Sequence, residues 1–197
     1  MKFCLASIRD VKSLAHLHVK SSKKQPDAFL HKLGPRFLEV YYQSLLADGS
    51  SVILCAKDTN GRILGFCSGS IDIEDRIITL RQNRIKLALT LIIRFLHSPS
   101  LISKVLVRNK QKFFNHLPSD GAHVDYWCWD NSGNSGAIIL FRKWLSLMTF
   151  FGCKRIYGEV DNMNKEVYAL HKILGAKFKS KFTTPDGQSR SLIVYEL

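Results

Sequence analysis

The sequence predicts an α/β fold, in which helices flank one mixed sheet of the α+β type. Three observations predict it. Strand-like and helix-like segments alternate along the chain, a Gly- and Ser-rich turn joins a strand to an amphipathic helix in the last third, and two short strands close the chain. The expected order is β-α-α-β-β-(helical insert)-β-α-β-α-β-β. A length of 197 residues suits one domain, so we interpret residues 1–197 as a single domain.

Helices follow the opening strand. We predict that strand over residues 2–7, and a helix after it for which Asp10 is a suitable N-cap. A second helical stretch, 27–47, carries an apolar stripe, but Gly34 and Pro35 interrupt it. Because the proline ring clashes with the preceding turn of a helix, the pattern predicts two helical pieces or a kink.

A hairpin and a strongly basic segment come next. Residues 52–57 and 63–73 have strand character, and an Asn-Gly pair between them supplies the positive φ angles of a tight turn. From 76 to 119 the sequence holds nine Lys or Arg and no Asp or Glu, with apolar residues at helical spacing. We predict a basic helical insert there. It is either a pair of surface helices with a solvated basic side, or a surface that holds an anionic acceptor or a membrane face.

The last third alternates strand and helix. A strand with two tryptophans leads into the Gly/Ser turn and an amphipathic helix, and a further strand precedes an asparagine-led helix. The predicted elements are the strand 123–129, the helix 135–150, the strand 155–161, the helix 166–174 and the strands 177–183 and 191–196.

The charge balance favours anionic partners. Lys and Arg number 29 against 16 acidic residues, which gives a net charge of +13 and a pI of about 9.7. Nucleotides, nucleic acid, anionic lipid and acidic sugars all fit such a balance. Nucleic acid is disfavoured, because the basic segment lacks the regular aromatic residues of a base-stacking surface.

The cysteines indicate a reduced protein without a metal site. There are five, an odd number, and none forms a Cys-x-x-Cys pair. The first ten residues contain charges too early for a signal peptide, and the most apolar stretch, 85–96, is short of the ~20 residues that span a bilayer. We therefore expect a soluble, cytoplasmic protein with reduced core cysteines and no metal.

The Gly/Ser turn is a candidate phosphate site. Residues 130–137 read Asp-Asn-Ser-Gly-Asn-Ser-Gly-Ala. Such a turn points several backbone N–H groups into one small space, and the N-terminus of the following helix adds partial positive charge. The alternative is a turn that merely connects a strand to a helix.

This turn and the later helix that begins at Asn164 and ends at Gly175 resemble the acetyl-CoA-binding half of the GNAT N-acetyltransferases. The front half adds support, because Ile-Leu-Gly-Phe at 63–66 and Leu-Gly-Pro-Arg-Phe at 33–37 are similar to a third strand and a second helix of that superfamily. The resemblance covers nearly the whole chain and implies a GNAT-like fold.

The resemblance also implies acetyl-CoA as co-substrate. The best overlay of the family's pyrophosphate motif, Arg/Gln-x-x-Gly-x-Gly/Ala, places it on 132–137, where Ala137 matches and two serines replace the usual Arg and Gly. The family's pantetheine-binding Asn matches Asn164, and a backbone amide near 127–129 is expected to polarise the thioester carbonyl. The implied cofactor-binding residues are Trp127, Cys128, Trp129, Ser132, Gly133, Asn134, Ser135, Gly136, Ala137 and Asn164.

Catalytic candidates follow from the same overlay. The family's Tyr, which protonates the departing thiolate, falls on His171, whose imidazolium has a suitable pKa near neutrality; Tyr168 is a reserve acid. Strand alternation predicts that His123 and Asp125 share one face with Trp127 and Trp129. A His123–Asp125 pair is the candidate general base, with Glu159 as a weaker candidate, although a structural role for each stays open.

The function that the resemblance implies is direct transfer of an acetyl group from acetyl-CoA to a primary amine. The expected acceptor is a small molecule or amino sugar, and the basic segment suggests that it is anionic. Two alternatives remain at this stage. One is a catalytically inactive GNAT-fold module that binds a ligand, and the other is a basic protein that binds nucleic acid or a membrane surface.

Overall fold

The computed structural model describes residues 1–22, 29–110, 118, 120–130, 134–184 and 187–197. Over these residues the centre is a seven-stranded sheet in the order β1-β2-β3-β4-β5-β7-β6. Neighbouring strands are antiparallel except β4 and β5, which are parallel. The strands are β1 (Lys2–Leu5), β2 (Ser51–Lys57), β3 (Ile63–Ser70), β4 (Ala122–Trp129), β5 (Arg155–Asp161), β6 (Lys177–Thr183) and β7 (Ser189–Glu196).

Helices cover both faces of this sheet. The two helices that follow β1 lie on one face, and the two helices on either side of β5 lie on the other. The element order agrees with the prediction. The helices are α1 (Val11–Ser22), α2 (Pro35–Ala47), α3 (Ile73–Gln82), α4 (Arg84–His97), α5 (Ser100–Lys110), α6 (Asn134–Phe150) and α7 (Lys165–Ile173).

The first core lies between the sheet and α1–α2. Leu14 and Leu38 are fully buried there against Phe66 of β3. Two polar groups inside this core satisfy each other, because His18 Nδ1 and the Tyr42 hydroxyl share a hydrogen bond of 2.6 Å. Burial lowers the pKa of His18 to about 3, so this imidazole is neutral at pH 7.

The second core lies between the sheet and α6. Trp144 is its largest fully buried side chain, and its indole N–H donates to the Val52 carbonyl at 3.2 Å. Gly69 of β3 makes room for it, because a Cβ at that position would lie 2.4 Å from the Trp144 ring. Together, the two cores fix the position of the middle strands from both sides.

Of two predictions about the N-terminal helices, one is confirmed and one is wrong. The predicted break in the second helical stretch is confirmed. A 3₁₀ turn ends at Leu33, and Gly34 has a φ of 91° before α2 begins. The prediction that Asp10 is the N-cap is wrong. Ser7 is the cap, and Asp10 accepts from its backbone N–H and hydroxyl, both at 2.9 Å, as the distal member of a capping box.

The third strand is shorter than predicted. It ends at Ser70, and Asp72 caps α3 by accepting from the backbone N–H groups of Glu74 and Asp75. The helical region therefore begins at Ile73 and contains α3, α4 and α5 in place of the expected pair of helices. A short apolar run cannot be assigned to strand or helix by periodicity alone, which explains the error.

Three of the five cysteines lie in the core. Cys55, Cys67 and Cys128 are buried, whereas Cys4 and Cys153 are partly exposed. Burial raises the pKa of the Cys55 and Cys128 thiols to about 12, so neither is a thiolate near neutrality. Within the described segments no cluster of His, Cys, Asp and Glu could hold a metal ion, and no helix there is long and apolar enough to cross a membrane.

Candidate functional site

A wedge-shaped gap separates the parallel strands in the middle of the sheet. β4 and β5 are paired only where Ala122–Val124 lie opposite Ile156–Gly158. Beyond this point β4 continues along β3, and β5 continues along β7. The facing edges of residues 125–129 and 159–161 therefore have backbone N–H and C=O groups that form no ladder with each other. We refer to this opening, between 125–129 and 159–161, as the gap.

A β-bulge in β4 decides which side chains face which helices. Tyr126 lies opposite Ser68 and Val124 lies opposite Gly69, so Asp125 is an extra residue in β4. The inside–outside alternation changes phase there. The prediction that His123 and Asp125 share a face with Trp127 and Trp129 is therefore wrong, because the strand is not regular through 125.

His123 lies at the paired, narrow end of the gap. Its Nε2–H donates to the Pro118 carbonyl at 3.1 Å, and its ring lies on Tyr157, on the face opposite α6. Burial lowers the pKa of His123 to about 4. It is a neutral, hydrogen-bonded side chain, and Asp125 is not its partner in any described contact.

Asp125 forms a buried ion pair with Arg76 of α3. Asp125 Oδ2 and Arg76 Nε are buried and have no hydrogen-bond partner among the described residues. Sequence reasoning assigned Arg76 to a basic surface and missed this contact. A signal was available, since Arg76 stands three residues after the buried Ile73 and therefore at an inward position of a helix capped by Asp72.

The two tryptophans of β4 lie on the α6 side of the sheet. The Trp127 ring is 4.7 Å from that of Phe141. Trp129 lies between Gly65 of β3 and Gly136 of α6, since a Cβ on either glycine would be only 2.1 Å or 2.4 Å from its ring. Both indole N–H groups are buried, and neither finds an acceptor within the part of the chain that the structure describes.

His171 is a buried residue of α7. Its Nδ1 and the Tyr195 hydroxyl share a hydrogen bond of 2.6 Å, and its ring contacts those of Trp127 and Phe141 edge-on. Burial lowers the pKa of His171 to about 4, so the expected pKa near neutrality is wrong. At pH 7 the side chain is a neutral imidazole that supports the Trp127 ring.

The start of α7 is fixed by Asn164. Its Oδ1 accepts from the Val167 backbone N–H at 3.2 Å, as in a helix N-cap. This contact uses the side-chain oxygen and leaves the amide N–H groups outside the cap. Tyr168, the reserve acid, lies with Lys172 along a cleft of about 350 Å³ toward Phe178 of β6 and Ile193 of β7.

The open end of the gap lies near the N-terminus of α6. This helix has 17 residues and begins at Asn134, shortly after β4 ends at Trp129. Ser135 in its first turn is exposed, and Gly136 and Ala137 are partly buried. The expected phosphate contacts of Ser132 and Gly133 lie outside the described residues. On the opposite face, Lys20 of α1 forms an ion pair with Asp130, so α1 and α6 border this end from the two faces.

Charged groups also border the β5 side. Glu159 pairs with Arg190 of β7 at 3.2 Å, and Arg190 Nε is buried and without a hydrogen-bond partner in the described segments. Buried polar atoms are rarely left unpaired in proteins, and water or a ligand satisfies those that are. Five such atoms belong to residues around the gap, namely Arg76, Asp125, Trp127, Trp129 and Arg190. These atoms are therefore candidates for hydrogen bonds with water or with a ligand.

Comparison with known proteins identifies the architecture. No protein-family model and no curated protein sequence matches the chain. Among solved structures, the ribosomal-protein-alanine N-acetyltransferase of Brucella melitensis is similar with a TM-score of 0.64 and 12% identity, over 100% of both chains. A spermidine N-acetyltransferase variant of Vibrio cholerae is similar over 100% of this chain and 95% of that one, with a TM-score of 0.61 and 11% identity.

A third similar structure contains acetyl-CoA. The GNAT-superfamily phosphinothricin acetyltransferase of Sinorhizobium meliloti, in complex with acetyl-CoA, has a TM-score of 0.63 and 12% identity to this chain. The match covers 100% of this chain and 88% of that one. At these identities the similarity concerns the fold. The chain has the mixed α/β architecture of GNAT acetyltransferases, as the sequence predicted.

Proposed function

We propose that this protein is an N-acetyltransferase that moves an acetyl group directly from acetyl-CoA to a primary amine. The observation that carries the proposal is the gap between β4 and β5, which has unpaired strand edges and the N-terminus of α6 at its open end. A long, polar, phosphate-bearing thioester fits such an arrangement. Acetyl-CoA supplies an activated acyl group there, and no metal is required.

The residues around the gap offer suitable donors. Backbone N–H groups in the first turn of α6, at Ser135, Gly136 and Ala137, can receive the pyrophosphate, because helix N-termini favour anions. The free edge of 125–129 can bond the amide groups of the pantetheine arm and polarise the thioester carbonyl. The Asn164 amide and the Trp127 indole N–H are further donors beside that arm.

The acceptor approaches from the face opposite α6. Arg76, Asp125, Glu159 and Arg190 lie around the gap on that side. Asp125 Oδ2 can accept from an amine N–H, and the Nε–H groups of Arg76 and Arg190 can donate to oxygen atoms of the acceptor. Solved structures with this fold include enzymes named for spermidine, for phosphinothricin and for a ribosomal-protein alanine. The net charge of +13 favours an anionic small molecule or amino sugar as the acceptor here.

Proton transfer in this site relies on water and on paired groups. Asp125 and Glu159 are held in ion pairs by Arg76 and Arg190. We assign the removal of the amine proton to water that these carboxylates orient. We assign to the neutral His171–Tyr195 pair the role of fixing the Trp127 ring beside the departing thiolate.

Titration calorimetry with acetyl-CoA tests the cofactor site. Ser135→Glu adds negative charge in the exposed first turn of α6, and a carboxylate at that position does not disfavour the helix itself. We expect acetyl-CoA to bind about tenfold or more weakly to this variant, because the added charge repels the pyrophosphate. Ser146→Glu, on an exposed position later in the same helix, is the matched control and leaves binding unchanged.

A pair of Asn164 variants separates helix capping from cofactor binding. Asn164→Asp keeps the oxygen that caps α7 but loses the amide donor, whereas Asn164→Ala loses both. We expect Asn164→Asp to melt like the wild type and to bind acetyl-CoA more weakly. Unchanged acetyl-CoA affinity in Asn164→Asp would contradict the assigned role.

A specific observation favours a second candidate, a GNAT-fold module that binds a ligand without turnover. The titratable side chains placed around the gap are either paired, as Asp125 and Glu159 are, or buried and neutral, as His123 and His171 are. Release of free CoA thiol in the presence of a panel of amines distinguishes the two. Acetyl-CoA binding without thiol release from any amine supports the module and contradicts the enzyme.

A further inference from the structure

Helix α4 exposes a continuous apolar stripe. Ile85, Leu89, Ile92 and Leu96 are between 53% and 77% exposed. Their spacing of four, three and four residues places them within about 60° of one another around the helix axis. These are large aliphatic side chains on one line, which differs from the scattered single apolar residues that are normal on protein surfaces.

The stripe is not the face by which α4 packs on the protein. Leu91 is buried against the core between α1 and α2, and Leu87 and Phe95 are partly buried beside it. Arg94 Nε on the same inner side donates to the Lys32 carbonyl at 3.0 Å. The helix therefore has one apolar face for the fold and a second, opposite one for which folding provides no partner within the described chain.

Neighbouring helices extend the exposed apolar surface. Ile78 of α3 is half-exposed, and Ile102, Leu106 and Val107 of α5 are exposed as well. We call these exposed residues and the α4 stripe together the apolar ridge, defined as Ile78, Ile85, Leu89, Ile92, Leu96, Ile102, Leu106 and Val107. An exposed surface of this kind on adjacent elements marks an interaction site.

The charged residues of α4 are all basic, whereas α3 begins with the exposed acidic residues Glu74 and Asp75. Arg84 and Lys86 are exposed and lie about 100° to either side of Ile85 on α4. Arg94 is exposed on the same helix, and α4 has no Asp or Glu. A negatively charged partner that also accepts a row of aliphatic side chains therefore suits the α4 stripe.

We propose that the apolar ridge docks on an anionic lipid bilayer, with α4 lying in the plane of the headgroups. The interface of such a bilayer presents acidic headgroups above an apolar interior, and amphipathic helices with flanking Lys and Arg bind there. The four side chains of the α4 stripe project from one face of a helix, which suits insertion between lipids. α4 has 14 residues, so it can lie on a bilayer but not span one. This proposal does not depend on acetyl transfer.

Co-sedimentation with lipid vesicles tests the proposal. Wild-type protein is mixed with vesicles of phosphatidylcholine alone and of phosphatidylcholine with phosphatidylglycerol. We expect binding to the phosphatidylglycerol vesicles that weakens at high salt. The double variant Leu89→Ser/Ile92→Ser should partition at least about tenfold more weakly, because two buried aliphatic side chains are lost from the lipid.

A matched double variant controls for the loss of exposed apolar surface as such. Phe150 and Met163 are 83% and 79% exposed but lie on the α6 and α7 side of the molecule. Phe150→Ser/Met163→Ser should bind vesicles as the wild type does. Because all four positions are exposed, both double variants are expected to keep the wild-type melting temperature, which circular dichroism can check.

Three results would overturn the proposal. The first is wild-type protein that stays in the supernatant with phosphatidylglycerol vesicles. The second is equal sedimentation of the wild type and the Leu89→Ser/Ile92→Ser variant. The third is a wild type that self-associates by light scattering and fails to bind vesicles, with the same variant monomeric, which would assign the ridge to a second copy of the chain.

Discussion

The ion pair between Arg76 and Asp125 connects the helical segment to the central strand. Both side chains are buried, so their charges are taken out of water and each depends on the other. A buried ion pair stabilises the folded protein little more than apolar residues of similar size would. The loss of one member, however, leaves a buried charge without its counter-charge. The pair therefore has a large effect on stability only when it is broken.

Replacement of one partner should expose this dependence. We expect Arg76→Met to lower the free energy of unfolding by about 3 kcal/mol, and Arg76→Met/Asp125→Leu to recover much of that loss. Urea denaturation of the two variants and of the wild type measures both effects. A double variant that is less stable than the single one would show that the charges contribute in some other way.

The Trp129 ring leaves no room for a side chain at position 136. A Cβ at Gly136 would lie 2.4 Å from that ring, so Gly136→Ala forces the ring or the helix to shift. We expect a loss of about 1–3 kcal/mol in the free energy of unfolding. Gly49→Ala is the control, because a Cβ at Gly49 meets nothing within 4 Å. Equal stability of the two variants would contradict this packing role.

Residue types were easier to predict from the sequence than their surroundings. Residue chemistry and the family resemblance selected His123, Asp125 and His171 as catalytic candidates. Neither of them predicts the β-bulge that turns Asp125 toward Arg76. Burial, which lowers the pKa of both histidines, depends on contacts with Tyr157 and Tyr195 from distant parts of the chain. The roles of these residues, and of the cofactor-binding residues, remain predictions.

The α4 helix shows how one element can have two apolar faces. Leu91 points into the core and Leu89, two residues earlier, points away from the protein. Both positions are leucine, so hydrophobicity alone does not distinguish the buried face from the exposed face. The packing of α4 against α2 determines which face is buried.

Alanine substitutions on α4 measure this difference. We expect Leu91→Ala to lower the free energy of unfolding by about 2–4 kcal/mol, because it leaves a cavity in the core. Leu89→Ala, with the same change of side chain on the same helix, should change it by less than about 0.5 kcal/mol. The comparison is made by thermal or urea unfolding in the absence of lipid. A large loss for Leu89→Ala would mean that its face is covered in solution.

Elements with strong local signals were predicted closely. The strands 155–161 and 177–183 agree with β5 and β6 at both ends, and the helix 135–150 differs from α6 by one residue. The start of α3 was missed because Ile71 and Ile73 continue the apolar pattern of β3, while the cap at Asp72 is a single residue within that run. Local patterns define the middle of an element better than its boundary.

Three buried histidines affect the whole molecule under acid. Burial lowers the pKa of His18 to about 3 and those of His123 and His171 to about 4. Above pH 6.5 these groups are neutral in both the folded and the unfolded chain. As the pH falls below about 6.5, the unfolded chain takes up protons that the folded protein cannot, and stability is lost until the pH reaches the lowered pKa values.

This linkage predicts a measurable loss of stability in mild acid. Each histidine should contribute about 2 kcal/mol to the decrease in the free energy of unfolding between pH 7 and pH 5. His171→Gln should therefore reduce that decrease by about this amount, and the glutamine can still bond the Tyr195 hydroxyl. Urea unfolding at both pH values measures it, with His16→Gln, on the exposed side of α1, as the control. The same decrease in His171→Gln and in the wild type would contradict the linkage.

The architecture could be predicted because it depends on the order of elements. Strand and helix periodicities, the Gly34 break and the closing hairpin are all local, and their succession was enough to indicate the GNAT-like sheet. The gap could be expected only through the resemblance. Its actual lining depends on pairing between residues far apart in the chain, such as Arg76 with Asp125 and Gly65 with Trp129, which no local pattern encodes.

The placement of the tryptophans has an optical consequence. The chain has three. Trp144 is buried in the core with its N–H bonded to Val52, while the indole N–H groups of Trp127 and Trp129, near the gap, have no acceptor among the described residues. A ligand that accepts a hydrogen bond there would change the polarity around two fluorophores and leave the third as a constant background. The protein should therefore report occupancy of the gap by its own ultraviolet emission, without any label.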